Sequence, residues 1–218
     1  MGYSFNFGVI WARIDVFLLG LALGLALALA ALAIGTALGL AAAFAAEAGG
    51  LRRRIVAVYV SVFRNTPLLV IVLFVYFGLP QWGLRLGKIE SFVLALAVYS
   101  GAYLTEVFRA GLSGVSKGVV DAGRAMGLGR LPLLWLIVLP IMLRNCLPAL
   151  GTTFISLFKD TSLAAVIAVP ELTYEARKLN TETFRVAEAW ATASVLYLAT
   201  CLLIAAGLRL AERRFPKF

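Results

Sequence analysis

The feature that most constrains the fold is a run of 31 residues without a charge, at positions 16–46. As an α-helix rising about 1.5 Å per residue it would extend about 46 Å, whereas the hydrocarbon core of a bilayer is about 30 Å thick. Hydrophobic residues make up 62% of the chain and charged residues only 14%. We therefore interpret the chain as an all-α, polytopic membrane protein.

Four more apolar stretches follow the first one, and together they predict about five transmembrane helices. These stretches cover residues 51–79, 91–112, 140–158 and 189–210. Residues 159–188 mix charged and apolar residues, so we expect an outside connection with one short helix after Pro170. No repeat or linker suggests a second domain, and residues 1–218 are expected to form a single transmembrane domain.

One face of the first crossing consists of small residues. They recur at intervals of three or four, so another helix can approach the backbone closely. They are Gly20, Gly24, Ala28, Ala31, Gly35 and Gly39. This pattern fits packing within the protomer and an interface between subunits equally well.

The distribution of charge predicts the orientation in the membrane. If the loops after the first and third crossings and the C-terminus lie inside, the inner segments hold eleven Lys and Arg against four acidic residues. The outer segments then hold seven of each sign. Because cytoplasmic loops are enriched in Lys and Arg, we expect the N-terminus outside and the C-terminus inside. The net charge of +9 then reflects topology and not a nucleic-acid partner.

The second stretch is interrupted by residues 64–67 and should form two helices. Thr66 is a good N-cap and Pro67 a good first helical residue, so the second helix is expected to begin there. Arg64 is a charge inside an apolar span, where a functional role has to be considered. Arg64 can also have a structural role, in which it snorkels or pairs with a carboxylate such as Glu106. We favour the structural role over a role in transport. The candidate intramembrane charges are Arg64, Glu106 and Arg109, of which the last two can neutralise each other.

A polar, basic segment containing glycine separates the third and fourth crossings, at residues 121–140. Residues 119–126 can form a short helix, and Gly127 and Gly129 can supply left-handed residues that end it. Pro132 can lie in the first turn of the next helix. We therefore expect a helix, a sharp turn and a second helix that offer a docking surface, the alternative being an ordinary basic loop.

The spacing of residues in this segment carries a resemblance. Asp121-Ala122-Gly123 is followed by Gly127, Ile137 and Leu139-Pro140. This resembles the "EAA" loop of bacterial ABC-importer permeases, E-A-A-x3-G-x9-I-x-L-P, with Asp for the Glu and Gly for the second Ala. Further segments are similar to the polar-amino-acid (histidine, glutamine, arginine) permease family, namely residues 63–69, 76–80, 102–109 and 154–163.

The resemblance implies the type I ABC importer permease fold, with about five transmembrane helices and a cytoplasmic coupling helix, in a bacterial inner membrane. It implies that two permease chains, identical or related, form a pathway for a polar amino acid. It also implies that two ATPase subunits grip the coupling loop, about 113–140, and that an extracytoplasmic binding protein delivers the substrate. The residues expected in this contact are Asp121, Ala122, Gly123, Arg124, Met126 and Gly127.

The fourth crossing carries small and polar residues at helical spacing, Asn145, Ala149, Thr152, Ser156 and Asp160. A zwitterionic amino acid needs partners for its carboxylate and its ammonium. The candidates for a substrate pathway or gate are therefore Thr66, Thr152, Ser156, Lys159, Asp160 and Ser162. Alternatively, Lys159 and Asp160 lie at the outer interface and only close a gate or pair with each other.

The chain lacks the residues needed to hydrolyse ATP. The segment most similar to a Walker A loop, residues 83–89, has one residue too few between its glycines and Ile89 where Ser or Thr must hold Mg²⁺. The sequence contains no His, so we expect no catalytic residue and no metal site, and assign ATP and magnesium to the partner ATPase. A secondary transporter or channel for a small polar solute is the alternative, but it would more naturally show inverted repeats and ionisable groups at mid-membrane.

Overall fold

The computed structural model describes residues 3–214, with side chains up to residue 210. All regular elements in this range are helical, which confirms the all-α prediction. The terminal basic residues used to predict the orientation, Arg213, Arg214 and Lys217, lie outside the described side chains. The α-helices are α1 (Gly8–Trp11), α2 (Ile14–Glu47), α3 (Gly50–Asn65), α4 (Leu68–Leu73), α5 (Lys88–Ser113), α6 (Lys117–Ala125), α7 (Arg130–Leu133), α8 (Leu139–Asp160), α9 (Leu172–Thr183) and α10 (Val186–Arg214).

Two π-helical turns and two 3-10 segments join some of these helices. A π turn at Phe74–Gly78 and a 3-10 turn at Leu79–Trp82 extend α4, and a π turn at Leu134–Val138 connects α7 to α8. A second 3-10 segment, Thr161–Ile167, follows α8. Within residues 3–214, four helical spans are long and apolar enough to cross a membrane, or five if the bent pair of α3 and the helical segment Leu68–Trp82 counts as one. The fold therefore agrees with the predicted number of crossings.

The centre of the molecule is the contact between α2 and α5. The large side chains of α5 that face inward, Phe92, Leu96, Leu104 and Phe108, are fully buried. Ser100 donates a hydrogen bond to the carbonyl oxygen of Ala31 on α2, at 3.3 Å. On the other side of α5, the Tyr59 hydroxyl of α3 donates to the carbonyl oxygen of Val98, at 2.7 Å.

The small-residue face of α2 packs inside the protomer. A Cβ atom added to Gly20 would lie 2.9 Å from the backbone nitrogen of Leu172, and one added to Gly39 would lie 3.0 Å from the backbone nitrogen of Thr105. Of the two interpretations left open by the sequence, internal packing is the one formed. The glycines are needed because backbone atoms of α5 and α9 occupy the space of their side chains.

The second crossing is broken, with a bend of 103° between α3 and the helix that starts at Leu68. The prediction that Thr66 caps this helix is wrong. Thr66 has extended backbone angles (φ −103°, ψ 129°), as expected for a residue before proline, and its hydroxyl donates back to the carbonyl oxygen of Val62 at 2.8 Å. Pro67 itself has ψ 133° and precedes the first helical residue.

The fourth crossing begins ten residues earlier than predicted, at Arg130 instead of Pro140. Pro132 lies in the first turn, as expected, where a missing N–H has little cost. Pro140 does not start the helix, because the helical span is already continuous from Arg130. It is the second residue of α8 and lies just after the π turn, where the usual hydrogen-bond pattern has changed and a missing N–H is tolerated. The predicted coupling loop of residues 113–140 therefore includes the first turns of a membrane helix.

Candidate functional site

A polar groove runs between α5 and α8 and consists of two adjoining cavities. One cavity has a volume of about 620 Å³ and the other of about 700 Å³. They share Tyr103, Val107, Ala149 and Thr153, so they form a single groove. The polar residues that line it are Arg64, Tyr99, Ser100, Tyr103, Glu106, Asn145, Thr152, Thr153, Ser156 and Asp160.

The predicted stripe on α8 faces this groove, and three of the six candidate pathway residues lie in it. Thr152, Ser156 and Asp160 line the first cavity. Thr66, Lys159 and Ser162 line neither cavity. The first three share one face of α8 by helical spacing, whereas Thr66 precedes a proline and Lys159 and Ser162 lie off this face.

Two tyrosines of α5, Tyr99 and Tyr103, also line the groove. The sequence analysis did not predict them as site residues. The ring centroids of Tyr99 and Tyr103 lie 4.9 Å apart, and their hydroxyls are 3.3 Å apart. Both line the cavity that contains Asp160. The available signal was their spacing, because Tyr99, Tyr103 and Glu106 follow one another at four and three residues on one face of a helix.

The candidate intramembrane charges lie at one end of the groove. Glu106 pairs with Arg109 at 2.6 Å, as predicted from their spacing. The pairing of Arg64 with Glu106, one of the two structural roles considered for it, is not formed among the described residues. Instead, the guanidinium carbon of Arg64 lies 5.1 Å from the ring centroid of Tyr103, within the range of a cation–π interaction. Arg64 is thus held beside the groove, next to the break in the second crossing.

A buried carboxylate, Glu171, holds the elements beyond the end of α8 together. It caps α9 by accepting the backbone N–H groups of Thr173 (2.9 Å) and Tyr174 (2.8 Å), and it accepts the hydroxyl of Tyr197 on α10 (2.7 Å). Its side chain is fully buried. Burial raises the pKa of the Glu171 carboxyl, although the donated hydrogen bonds oppose this shift.

Glu188 is the second fully buried carboxylate at this end of the molecule. It accepts a hydrogen bond from the Tyr3 hydroxyl, one from the backbone N–H of Asn6 at 2.8 Å, and a longer one from Arg185 at 3.5 Å. The N-terminal segment is therefore tied to the first turn of α10. Sequence reasoning missed both glutamates, because their partners lie far away in the chain.

Two cations hold the 3-10 segment that follows Asp160. The ammonium of Lys88 donates to the carbonyl oxygen of Ala168 at 2.7 Å, where the backbone is left-handed with φ 57°. The guanidinium of Arg177 donates to the carbonyl oxygen of Ala165 at 2.9 Å. The Arg177 contact fixes α9, the short helix expected after Pro170, to this segment, and the Lys88 contact ties the segment to the start of α5.

At the opposite end of the chain's membrane helices, α6 forms the predicted short helix of the polar segment. Gly127 is left-handed, with φ 80°, and ends the helix as expected. Gly129 was also predicted to be left-handed, which is wrong: its φ is −66°, and it is the N-cap of α7. One positive-φ residue is enough to reverse the chain here.

The candidate coupling residues are mostly exposed. Asp121 and Arg124 form an ion pair at 3.1 Å, with about two thirds of each side chain accessible. Gly123 is the buried residue of α6. A Cβ atom added to it would lie 2.6 Å from Cδ1 of Leu133 and 2.8 Å from Cδ1 of Ile137. The side of α6 with Asp121 and Arg124 is therefore exposed, and the side with Gly123 packs against the start of the fourth crossing.

Comparison with known proteins assigns the chain to a family. The family model of the binding-protein-dependent transport system inner membrane component matches residues 35–217. The chain belongs to this family. The glutamine transport system permease protein of Escherichia coli strain K12 is 37% identical over 214 residues, which cover 97% of this chain and 98% of that protein.

Other family members and a solved structure agree. The probable glutamine ABC transporter permease protein GlnM of Bacillus subtilis strain 168 is 35% identical, covering 73% of this chain and 74% of its own. The crystal structure of an amino acid ABC transporter with histidines matches with a TM-score of 0.89 at 31% identity, covering 97% of this chain and 100% of that chain. This binding-protein-dependent permease is a multi-pass membrane subunit that is not itself catalytic, and a secondary transporter is not favoured.

Proposed function

We propose that the chain is the transmembrane subunit of an ATP-binding-cassette importer for a polar amino acid. Its partners are a second permease, identical or related, two ATPase subunits that bind ATP and magnesium, and an extracytoplasmic binding protein. The observation that carries the substrate class is the groove between α5 and α8. The names of the relatives support the same class, since they include transporters of glutamine and L-cystine.

The chemistry of the groove suits a zwitterion. An amino acid carries a carboxylate and an ammonium, and an unpaired charge of either sign costs several kcal/mol in a low-dielectric interior. Asp160 can accept from the ammonium, and Arg64 can donate to the carboxylate. The hydroxyls of Tyr99, Thr152 and Ser156 can bind polar side-chain groups. A site of several hundred Å³ is also of the size that encloses a small ligand.

The groove needs a second subunit to close it. Arg64 is exposed at the break in the second crossing, and Thr152 and Ser156 are exposed on α8. Polar groups at membrane depth face protein or water and not lipid. We therefore place the second permease along this side, so that the substrate passes between the two chains.

Coupling to the ATPase uses the exposed side of α6. The residues that contact the ATPase are Asp121, Ala122, Arg124, Met126 and Gly127. Gly123 instead packs α6 against the start of the fourth crossing, because the absence of a side chain lets α6 lie directly on Leu133 and Ile137. A displacement of α6 by the ATPase then moves the start of the fourth crossing, whose far end carries Ser156 and Asp160.

The proposed orientation places the N-terminus outside the inner membrane and the C-terminus in the cytoplasm. In this orientation α6, the coupling helix, lies on the side of the ATPase. Glu171 and its hydrogen-bond partners lie on the side of the binding protein. Reporter fusions after residues 50 and 115 should be cytoplasmic, and fusions after residues 85 and 175 should be extracytoplasmic. A cytoplasmic reporter after residue 175 would contradict this arrangement.

The substrate pathway is tested by Asp160→Asn and Ser156→Ala in the complete complex reconstituted into vesicles. We expect slower uptake and altered preference among amino acids at unchanged basal ATP hydrolysis, because the groove loses a charged partner or a hydroxyl. Glu90→Gln and Ser162→Ala are matched controls, since neither residue lines the groove. If the groove variants transport at the rate and selectivity of their controls, the stripe on α8 is packing and not a pathway.

A further inference from the structure

The first turn of α3 carries three consecutive arginines, Arg52, Arg53 and Arg54, and all three are exposed. None of them forms an ion pair or hydrogen bond with the side chains described between residues 3 and 210. The same turn contains no acidic residue, and its N-cap, Gly49, provides no side-chain cap. The partial positive charge at a helix N-terminus adds to that of the arginines. The protomer thus leaves a concentrated positive charge without a counter-charge of its own.

The outer face of α3 continues from these arginines as an apolar stripe. Its residues are exposed by 72%, 60%, 62% and 51%, and recur at four, three and four positions, namely Leu51, Ile55, Val58 and Val62. The opposite face, with Val56 and Val60, is buried against the end of α2. Helical spacing places Arg54 beside this stripe, because it precedes Val58 by four residues and follows Leu51 by three.

The order of charge and apolar surface along α3 matches one leaflet of a bilayer. The arginines lie at the end of the helix that adjoins the end of α2, and the stripe runs from there toward the break at residue 66. The 16 residues of α3 extend about 24 Å, which is enough to span one leaflet. Positive side chains at the edge of such a stripe complement lipid phosphates.

We propose that the first turn of α3 binds the headgroups of anionic phospholipids, with their acyl chains along the stripe. This goes beyond the transport function proposed above and uses only its orientation, which makes the leaflet the cytoplasmic one. The space around Gly49 and Gly50 is open, since a Cβ atom on either would meet nothing within 4 Å, so a headgroup can approach the turn. Guanidinium groups suit this ligand because they bind phosphate oxygens in a bidentate manner.

The test uses the complete transporter in nanodiscs of phosphatidylcholine, with and without phosphatidylglycerol. Native mass spectrometry measures the phosphatidylglycerol retained per complex, and substrate-stimulated ATP hydrolysis is measured on the same samples. We expect the triple variant R52Q/R53Q/R54Q to retain at least fivefold less phosphatidylglycerol and to lose the response of its ATPase to this lipid. The triple Arg→Lys variant should keep most of both.

Two controls separate lipid binding from other roles of the arginines. Arg209→Gln removes a cation from the last part of α10, away from the stripe, and should retain the lipid like the wild type. Arg54→Gln alone disturbs membrane insertion least and should show a smaller loss in the same direction. Unchanged lipid retention by the triple Gln variant would overturn the proposal. An equal loss of ATPase activity with and without phosphatidylglycerol would also overturn it, since the arginines would then bind a protein subunit.

Discussion

The two ends of this permease differ in what two of their glycines touch. At the end that the proposed orientation makes the outer one, Gly20 of α2 lies against the backbone of Glu171 and Leu172, where a Cβ atom would meet main-chain atoms at 2.9 Å. At the opposite end, which the same proposal makes the inner one, Gly123 of α6 lies against the tips of Leu133 and Ile137. Main-chain atoms move only with their whole element, whereas side-chain tips can change rotamer.

The same contrast extends to the charges. At the outer end, Glu171 and Glu188 are fully buried and bind donors from several elements. At the inner end, the Asp121–Arg124 pair is exposed, and the arginines of α3 have no partner among the described side chains. The protomer thus pairs the buried charges at the end around Glu171 by itself, whereas at the end around α6 it leaves charged surface exposed, where we propose that the ATPase and the membrane bind.

The strongest way to break the rigid outer contact is Gly20→Val. We expect a loss of about 3 kcal/mol, because overpacking against main-chain atoms forces α2 and α9 apart. Thermal unfolding of the purified complex in detergent measures this as a lower midpoint. Gly207→Val is the matched control, since a Cβ atom there meets nothing within 4 Å. Equal midpoints for the two variants would show that the outer contact is as soft as the inner one.

The buried carboxylate provides a second, smaller test of the outer end. Glu171→Gln should cost about 1–2 kcal/mol, because the amide nitrogen cannot accept from Tyr197 or Thr173. The raised pKa of Glu171 means that the folded state binds its proton more readily than the unfolded chain does. The stability from this group is therefore complete at low pH and is lost as the pH rises through the folded-state pKa.

This pH dependence can be measured as the difference in midpoint between the wild type and Glu171→Gln. We expect the difference to grow as the pH falls from neutral to about 5. Glu182→Gln is the control of opposite sign. Its hydrogen bond with Arg13 lowers the pKa of the Glu182 carboxyl, so that contribution is present at neutral pH and is lost as the pH falls. A difference independent of pH for Glu171→Gln would contradict the assigned burial effect.

The smallest effect on stability is expected from a substitution of Gly123. Gly123→Ala introduces the residue found at this position of the EAA pattern. Alanine favours the helix by up to about 1 kcal/mol over glycine, while the side-chain tips of Leu133 and Ile137, now 2.6 and 2.8 Å from the added Cβ position, must move by about 1 Å to reach ordinary contact. We expect a change of less than about 1 kcal/mol in either direction and normal substrate-stimulated ATP hydrolysis. A collapse of coupling in this variant would show that α6 is seated as rigidly as α2.

Sequence reasoning succeeded where one local pattern decides the outcome. The charge-free run at residues 16–46 predicts α2, and the glycine after Met126 predicts the left-handed turn at Gly127. The spacing of Thr152, Ser156 and Asp160 places them on one face of α8. In each case the information lies within a few helical turns, and the surrounding fold does not override it.

The remaining features depend on contacts that are distant in sequence. Thr66 has a suitable side chain for an N-cap, but Pro67 is itself extended and precedes the first helical residue, Leu68, so Thr66 lies one residue too early and its hydroxyl donates to the carbonyl oxygen of Val62 instead. Glu171 and Glu188 resemble ordinary solvent-exposed acids of a polar connection, because their partners Tyr197 and Tyr3 come from other elements. The coupling residues, the partners and the single-domain organisation stay predictions.

The π turn at Leu134–Val138 has a consequence for how this helix can be aligned with others. A π turn accommodates one more residue than an α-helical turn. Every side chain beyond it is therefore rotated by about 100° from the direction it would have in an uninterrupted α-helix. Leu133 and Ile137 point to Gly123 of α6, whereas Thr152, Ser156 and Asp160 of α8 face the groove beside α5. A single-residue deletion within the turn would restore the regular helix and turn the polar stripe away from the groove. The additional residue of the π turn thus changes the direction in which the side chains point, so that one helical span packs against both α6 and α5.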